Sequence, residues 1–361
     1  MSEIIQNTLY LATPGTYVAR DHLTLQVEVP VYPEGLAPGD RVKANATGTR
    51  KVSIPIHHLE SICIFGPSTI TPSALDLCWE HGVAVNFLGE HGYFQARMTG
   101  VADTSVSLRR AQFRAADNAA ISTAVARHVV AGKIQNSRNS LLRGGRESED
   151  EAGRAEIARA TEGMARLITS LPEAPGLDQV RGLEGMASAH YFGVFTHLLK
   201  QQREEFTFTL RSRRPPLDRI NCLLSFLYAL VRHDCVAALT SIGLDPFVGF
   251  LHAERPARPS LALDLMEEFR PWLADRLALT LVNRQQIDPG DFKLREGGAV
   301  EFTDVGRKRV ITAYQQRKQE TLLHPLLDQT LRIGQLPFVQ ARILARHLRG
   351  DIPVYLPFVP K

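Results

Sequence analysis

The sequence has 361 residues, 44% hydrophobic and 22% charged. That length and composition fit two globular domains, each with a core of its own, and exclude a disordered chain or a fibrous repeat. Forty-two Lys plus Arg against 38 Asp plus Glu leave a formal charge of +4, too small to indicate a polyanionic partner unless basic residues cluster locally. Cys63, Cys78, Cys222 and Cys235 fit neither a C-x-x-C zinc knuckle nor a dense disulfide framework, so a reducing, cytoplasmic setting is expected. No basic-then-apolar leader opens the chain, and no run approaches about 18 uninterrupted apolar residues, so no membrane span is expected.

From Tyr10 to about Met98 the pattern predicts sheet. Thr24–Val29 and Lys51–Ile56 are rich in β-branched residues and bounded by Pro, Gly and Asn. One helix interrupts them: Thr71 can cap it, Pro72 suits its first position, and Gly82 can end it before Val83–Phe87 resumes a strand. Glu34–Thr49, with four Gly or Pro, reads as a mobile hairpin loop. From Ser105 onward apolar residues fall at helical spacing, as in Ile121, Val125 and Val129. Arg143–Glu156, Gly-rich and charged in both signs, reads as a solvated connection. Asp291–Val310 reads as a hairpin turning at Gly297-Gly298. The expected fold is α+β, with a β-rich domain over 1–100 and a larger, mainly α-helical domain over 101–361.

Three segments carry acids or a histidine in unusual company. Glu184 sits in Arg181-Gly-Leu-Glu-Gly-Met-Ala-Ser-Ala-His-Tyr191, a helical stretch of small and apolar residues. A carboxylate there is exposed, paired with an arginine, or bound to a metal. His252 follows the apolar segment Gly243–Leu251, where a histidine taken alone is more often structural than a ligand. Ser260 can cap a helix in which Asp264 and Glu267, three residues apart, share a face. Like charges at that spacing repel unless a cation intervenes, and Arg270 supplies part of that compensation. A divalent ion held by oxygens and one imidazole, manganese or magnesium rather than zinc, suits phosphoryl transfer; a solvated acidic turn paired with Arg270 is the alternative.

Basic residues cluster at Arg211, Arg213 and Arg214 before Pro215-Pro216, followed by Asp218, Arg219, Asn221, Ser225 and Tyr228. This segment is either a phosphate-binding turn or a surface turn beside an acidic patch. Arg109, Arg110, Arg114, Arg127, Lys133 and Arg138 lie on one helical region and read mostly as a solvated face.

Taken together, these segments resemble the CRISPR-associated endonuclease and integrase family of spacer acquisition. The resemblance runs from Asn7-Thr8-Leu9-Tyr10 through Leu59-Glu60-Ser61-Ile62 to Gly66, Gly132-Lys133-Ile134-Gln135-Asn136, Arg181–Tyr191, Arg213–Tyr228 and His252–Pro271. Arg307-Lys308, Tyr314 and Tyr355-Leu356-Pro357-Phe358 look most like the subtype of type I-C systems. The resemblance implies catalytic Glu184, His252, Asp264 and Glu267, with Glu184, His252 and Glu267 holding magnesium or manganese and Asp264 supporting them. Glu267 stands where some members carry Asp, and Glu268 is a competing carboxylate. Arg181, Arg213, Arg214, Tyr228, Arg255 and Arg270 are implied in DNA binding. The implied assembly is a homodimer through the sheet domain, two of which flank a dimer of a small ferredoxin-like CRISPR partner in a heterohexamer holding double-stranded DNA. The implied reaction is attack of a DNA 3′-hydroxyl on the phosphodiester of a CRISPR repeat. The rival functions are a non-catalytic DNA-binding assembly scaffold and a branched-DNA repair nuclease.

Overall fold

The computed structural model describes residues 8–11, 13–33, 46–59, 61–89, 94–98 and 106–360. Asn7, Glu60, Ser105 and positions 34–45 of the expected hairpin loop lie outside them. The chain divides into two compact units, Met1–Ala102 with Gly290–Leu294 and Glu301–Thr312, and Asp103–Pro289 with Arg295–Val300 and Ala313–Lys361.

The first unit holds strands β1 (Thr8–Leu11), β2 (Tyr17–Asp21), β3 (Thr24–Val31), β4 (Gly48–Pro55), β5 (Ser61–Phe65) and β6 (Thr69–Ile70), then helix α1 (Pro72–Glu80), β7 (Ala84–Leu88) and β8 (Phe94–Met98). They form two four-stranded sheets, ordered β1-β5-β7-β8 and β4-β3-β2-β6. β5 lies between parallel neighbours β1 and β7 and is buried at all five positions, as an inner parallel strand of continuous apolar sequence should be. Helix α1 starts as its sequence predicts. Thr71 Oγ1 accepts a hydrogen bond from the Ala74 amide, Pro72 occupies the first turn, and the turn after the helix has Gly82 at φ +67°. Its buried Ala74, Leu77 and Cys78 join Val18, Leu25, Val27, Ile62, Ile64 and Val85 in one apolar core.

Among the described residues the second unit is mainly helical. It begins with α2 (Val106–Asp117), α3 (Ala119–Arg146), α4 (Glu151–Ser170), α5 (Leu177–Gly193), α6 (Arg219–Ile242) and α7 (Ser260–Met266), followed by a π-helical turn at Arg270–Asp275 and by α8 (Arg276–Asn283). The chain continues through β9 (Phe292–Leu294), β10 (Val300–Phe302), α9 (Asp304–Gln319), β11 (Thr321–Leu323), β12 (Thr330–Arg332) and α10 (Leu336–Leu348). Helix α3 is central, packing against α4, α5 and the π-helical turn. Among the described residues α6 is the helix long and apolar enough to cross a membrane, yet 72% of its most apolar window is buried within the protein, where α7 and α10 cover it.

Three local expectations change. The Arg143–Glu156 segment is mostly helix, because α3 runs to Arg146 and α4 begins at Glu151 with Asp150 accepting the Ala152 amide at 3.1 Å. Its glycines serve close packing: a Cβ at Gly144 would overlap Leu198, and one at Gly153 would fall 2.7 Å from His197 Nδ1. Ser260 does not cap α7; its hydroxyl donates to the Ala253 carbonyl at 3.0 Å and so ties down the preceding loop. The 291–310 hairpin ends at Phe302, after which α9 starts at Asp304.

Candidate metal centre and its basic surround

Helices α3, α5 and α7 bring three charged side chains to one point. The Lys133 ammonium bonds Glu184 Oε1 and stands 2.7 Å from Glu267 Oε2. Lys133 and Glu267 are 7% and 3% exposed. Arg270, three residues after Glu267, donates to both its oxygens at 2.8 and 3.1 Å. Burial alone would raise the Glu267 pKa. Arg270, Lys133 and His252 overcome it and hold the carboxyl well below the usual carboxylate range, so Glu267 is an anion at neutral pH. Glu184 is steadied on its own helix by the Ser188 hydroxyl at 3.0 Å.

His252 enters from the loop after α6. Its Nδ1 lies 2.7 Å from Asp264 Oδ1 and its Nε2 lies 3.8 Å from Glu267 Oε1. A carboxylate accepts only, so the Nδ1 proton faces Asp264 and Nε2 is the ring nitrogen turned towards Glu267. Asp264 is itself held by the amides of Phe250, Leu251 and His252 at 2.6, 3.0 and 2.9 Å. The loop can wrap the carboxylate this closely because residue 249 is Gly; a Cβ there would fall 2.8 Å from Asp264 Oδ2.

Tyr228 and Arg270, implied in DNA binding, are both buried. Arg270 lies 4.3 Å from the Tyr228 ring centre, and Arg211 lies 5.3 Å from it. The Tyr228 hydroxyl donates to Asp275 at 2.6 Å, a carboxyl that burial pushes up. Of these side chains Arg270 also holds Glu267, so it joins the Tyr228 ring to the acid. Glu268 turns the other way. It accepts from the Tyr355 hydroxyl, the Phe358 amide and Gln340 Nε2, the last at 2.9 Å. Burial pushes it up to about 7 against those donors, and its bonds tie the C-terminal segment to α7.

Arg213, Arg214 and Arg255 are exposed. Arg181 donates to the Leu251 carbonyl at 2.8 Å and to Asp178 at 3.1 Å, which joins α5 to the His252 loop. Arg258, not singled out in the sequence analysis, has its pKa lowered first by partial burial and then by Arg255, with Arg181 and Arg213 adding to the effect. The four guanidinium groups are therefore near enough to repel and form a cationic patch beside His252. Lys133, read as part of a solvated helical face, is the other residue the sequence placed wrongly. Its signal was a lone lysine among Ile134, Val129 and Val130 on a buried face of α3.

Among the described residues no three His, Cys, Asp or Glu side chains are already closed into a metal-holding cluster. Glu184 and Glu267 instead converge on one cationic group, the Lys133 ammonium, with His252 Nε2 3.8 Å from Glu267. Two carboxylates and one nitrogen around a point already occupied by positive charge fit a divalent ion such as magnesium or manganese.

The model of the family "CRISPR associated protein Cas1" matches residues 9–316. The chain is 47% identical over 356 residues to a CRISPR-associated endonuclease Cas1 of Moorella thermoacetica, covering 99% of both chains. It is also similar in fold to a Cas1 protein of Thermotoga maritima, with a TM-score of 0.77, 24% identity and coverage of 98% of this chain and 100% of that one. A casposase bound to its integration product gives a TM-score of 0.82 at 21% identity, covering 98% and 93%. The match of one family model to most of the chain, and of a relative along nearly its whole length, places this protein in the Cas1 family of CRISPR-associated proteins.

Proposed function

We propose that this protein is a divalent-metal-dependent DNA endonuclease and integrase that inserts short DNA fragments as new spacers into a CRISPR array. The observation that carries the reading is the convergence of Glu184, Glu267 and His252, with Asp264 fixing the imidazole. Glu184, Glu267 and His252 Nε2 would hold the ion. A bound hard cation supplies charge neutralisation at a phosphodiester and lowers the cost of the departing oxygen's negative charge.

The chain's own residues do the rest. Asp264 and its three amides hold His252 at one angle and in one tautomer. Arg270, stacked on Tyr228, keeps Glu267 ionised. Arg181, Arg213, Arg214, Arg255 and Arg258 bind the DNA backbone and fix its position over the centre. A DNA 3′-hydroxyl in line with the target phosphorus gives strand transfer, and water in its place gives cleavage. Phosphate contacts carry no sequence information, so binding by this chain is salt-dependent and tolerant of sequence. The 1–100 sheet domain serves homodimerisation, and a small ferredoxin-like CRISPR partner completes the heterohexamer on double-stranded DNA, as the resemblance implies.

The test is joining of a short 3′-hydroxyl duplex to a plasmid bearing a CRISPR repeat, with manganese and the small partner present and His252→Ala as control. Joined product that disappears in the variant supports the integrase. Metal-dependent cutting of branched DNA without joining moves the reading to a repair nuclease, and DNA binding with neither activity moves it to an assembly scaffold.

A further inference from the structure

The ammonium of Lys133 stands where three ligands would meet, with Glu184 on one side and Glu267 2.7 Å away on the other. Beside it lies a narrow hollow whose walls include Lys133, Ser137, Ser188, Tyr191, Tyr228 and Asp275. Ser137 is one helical turn beyond Lys133 on α3, and Ser188 is one turn beyond Glu184 on α5. The walls of the hollow carry the Asp275 carboxyl, which Arg270, Tyr228 and Tyr191 face.

We propose that Lys133 is a tethered cation that holds Glu184 and Glu267 together in the metal-free protein, and that metal entry is an exchange in which its ammonium gives up its place between them. The proposal rests on the reading of Glu184, His252 and Glu267 as a metal centre. One positive charge within 3 Å of a ligand oxygen competes directly with a divalent ion for it. The lysine also explains why two carboxylates can be packed together before any ion arrives: without a cation the pair would repel. The same side chain that holds the two carboxylates together thus weakens their affinity for the ion.

The test is calorimetric titration of manganese chloride into the full-length chain, comparing wild type with Lys133→Met and with Lys133→Gln. Removal of the competing charge should tighten binding by roughly tenfold or more. The metal-free variant should melt lower than wild type and recover more on adding manganese. Wild type that binds manganese while folded variants bind equally or more weakly overturns the exchange and leaves the metal centre standing. No binding by wild type or either variant overturns both. Should neither variant fold, the amine nitrogen resonance of Lys133 in the wild type decides: saturation with magnesium should shift it, and an unmoved resonance in the magnesium-bound protein overturns the proposal.

Discussion

His252 Nδ1 and Asp264 Oδ1 are 2.7 Å apart, and the same carboxylate takes the His252 backbone amide at 2.9 Å. One side chain thus fixes both the ring and the loop that carries it. Asp264 is a positioning residue in this arrangement, because the Nε2 face of the imidazole points away from it to Glu267. Asp264→Asn should lower manganese affinity by about 10- to 100-fold, the usual range for loss of a ligand's supporting carboxylate. It should also cost about 1–3 kcal/mol of stability, since an amide nitrogen would face donors. Titration calorimetry and thermal melting read the two effects separately; unchanged metal affinity in a folded variant would refute the positioning role.

His252→Ala tests the ligand itself. The side chain is only partly buried, at 22% exposed, so the fold should survive with a melting temperature near that of wild type. Metal-dependent strand transfer and cleavage should fall to background, while binding of duplex DNA through the arginines persists in a filter-binding assay.

Gly249→Ala probes the cradle from the backbone side. The new Cβ would meet Asp264 Oδ2 and the Ser260 carbonyl carbon at 2.8 Å and the Leu261 amide at 2.9 Å. Two of these neighbours are backbone and cannot swing aside. The loop must shift, at a cost of about 1–3 kcal/mol, and activity should drop along with stability even though no ligand has been altered. An unshifted melting curve with full activity would show that the cradle tolerates a methyl group.

Glu268→Gln separates the two neighbouring acids. Glu268 accepts from Tyr355, from the Phe358 amide and from Gln340 on its way to anchoring the C-terminal segment. An amide in its place turns one acceptor into a donor against these donors. The variant should lose about 1–3 kcal/mol in urea unfolding yet keep the manganese affinity of wild type. A large loss of affinity without a stability change would make Glu268 a ligand.

Arg213→Ala combined with Arg214→Ala addresses the exposed patch. If both contact phosphate, log affinity for duplex DNA plotted against log salt should lose roughly two units of slope, about one per contact removed. Metal affinity should be unaffected. Equal slopes for wild type and variant would place the DNA elsewhere.

Much of this was legible in the sequence where structure depends on near neighbours. Thr71 and Pro72 mark the start of α1, β-branched alternation marks β3 and β4, and the i, i+3 spacing of Asp264 and Glu267 puts both acids on one face of the α7 turn. Hydrophobic period and capping chemistry are properties of a few consecutive residues, so they survive without knowledge of the rest of the chain. The glycines at 144 and 153 misled, because Gly in a helix reads as a break unless the neighbour that needs the space is known, and Leu198 and His197 lie more than 40 residues on.

Tertiary structure alone decided which charge faces which. Lys133 looked solvated by its charge, but α3 buries it against Glu184, 51 residues away, because a cation was needed between two carboxylates. Glu267 and Glu268 are adjacent and chemically identical. Helical geometry sends their side chains about 100° apart, one towards Lys133 and Arg270 and the other towards Tyr355 and Phe358, nearly 90 residues further on. A sequence names the acids near a centre; long-range packing, by supplying their partners, determines which of them stays charged beside Lys133 and Arg270 and which anchors the C-terminal segment.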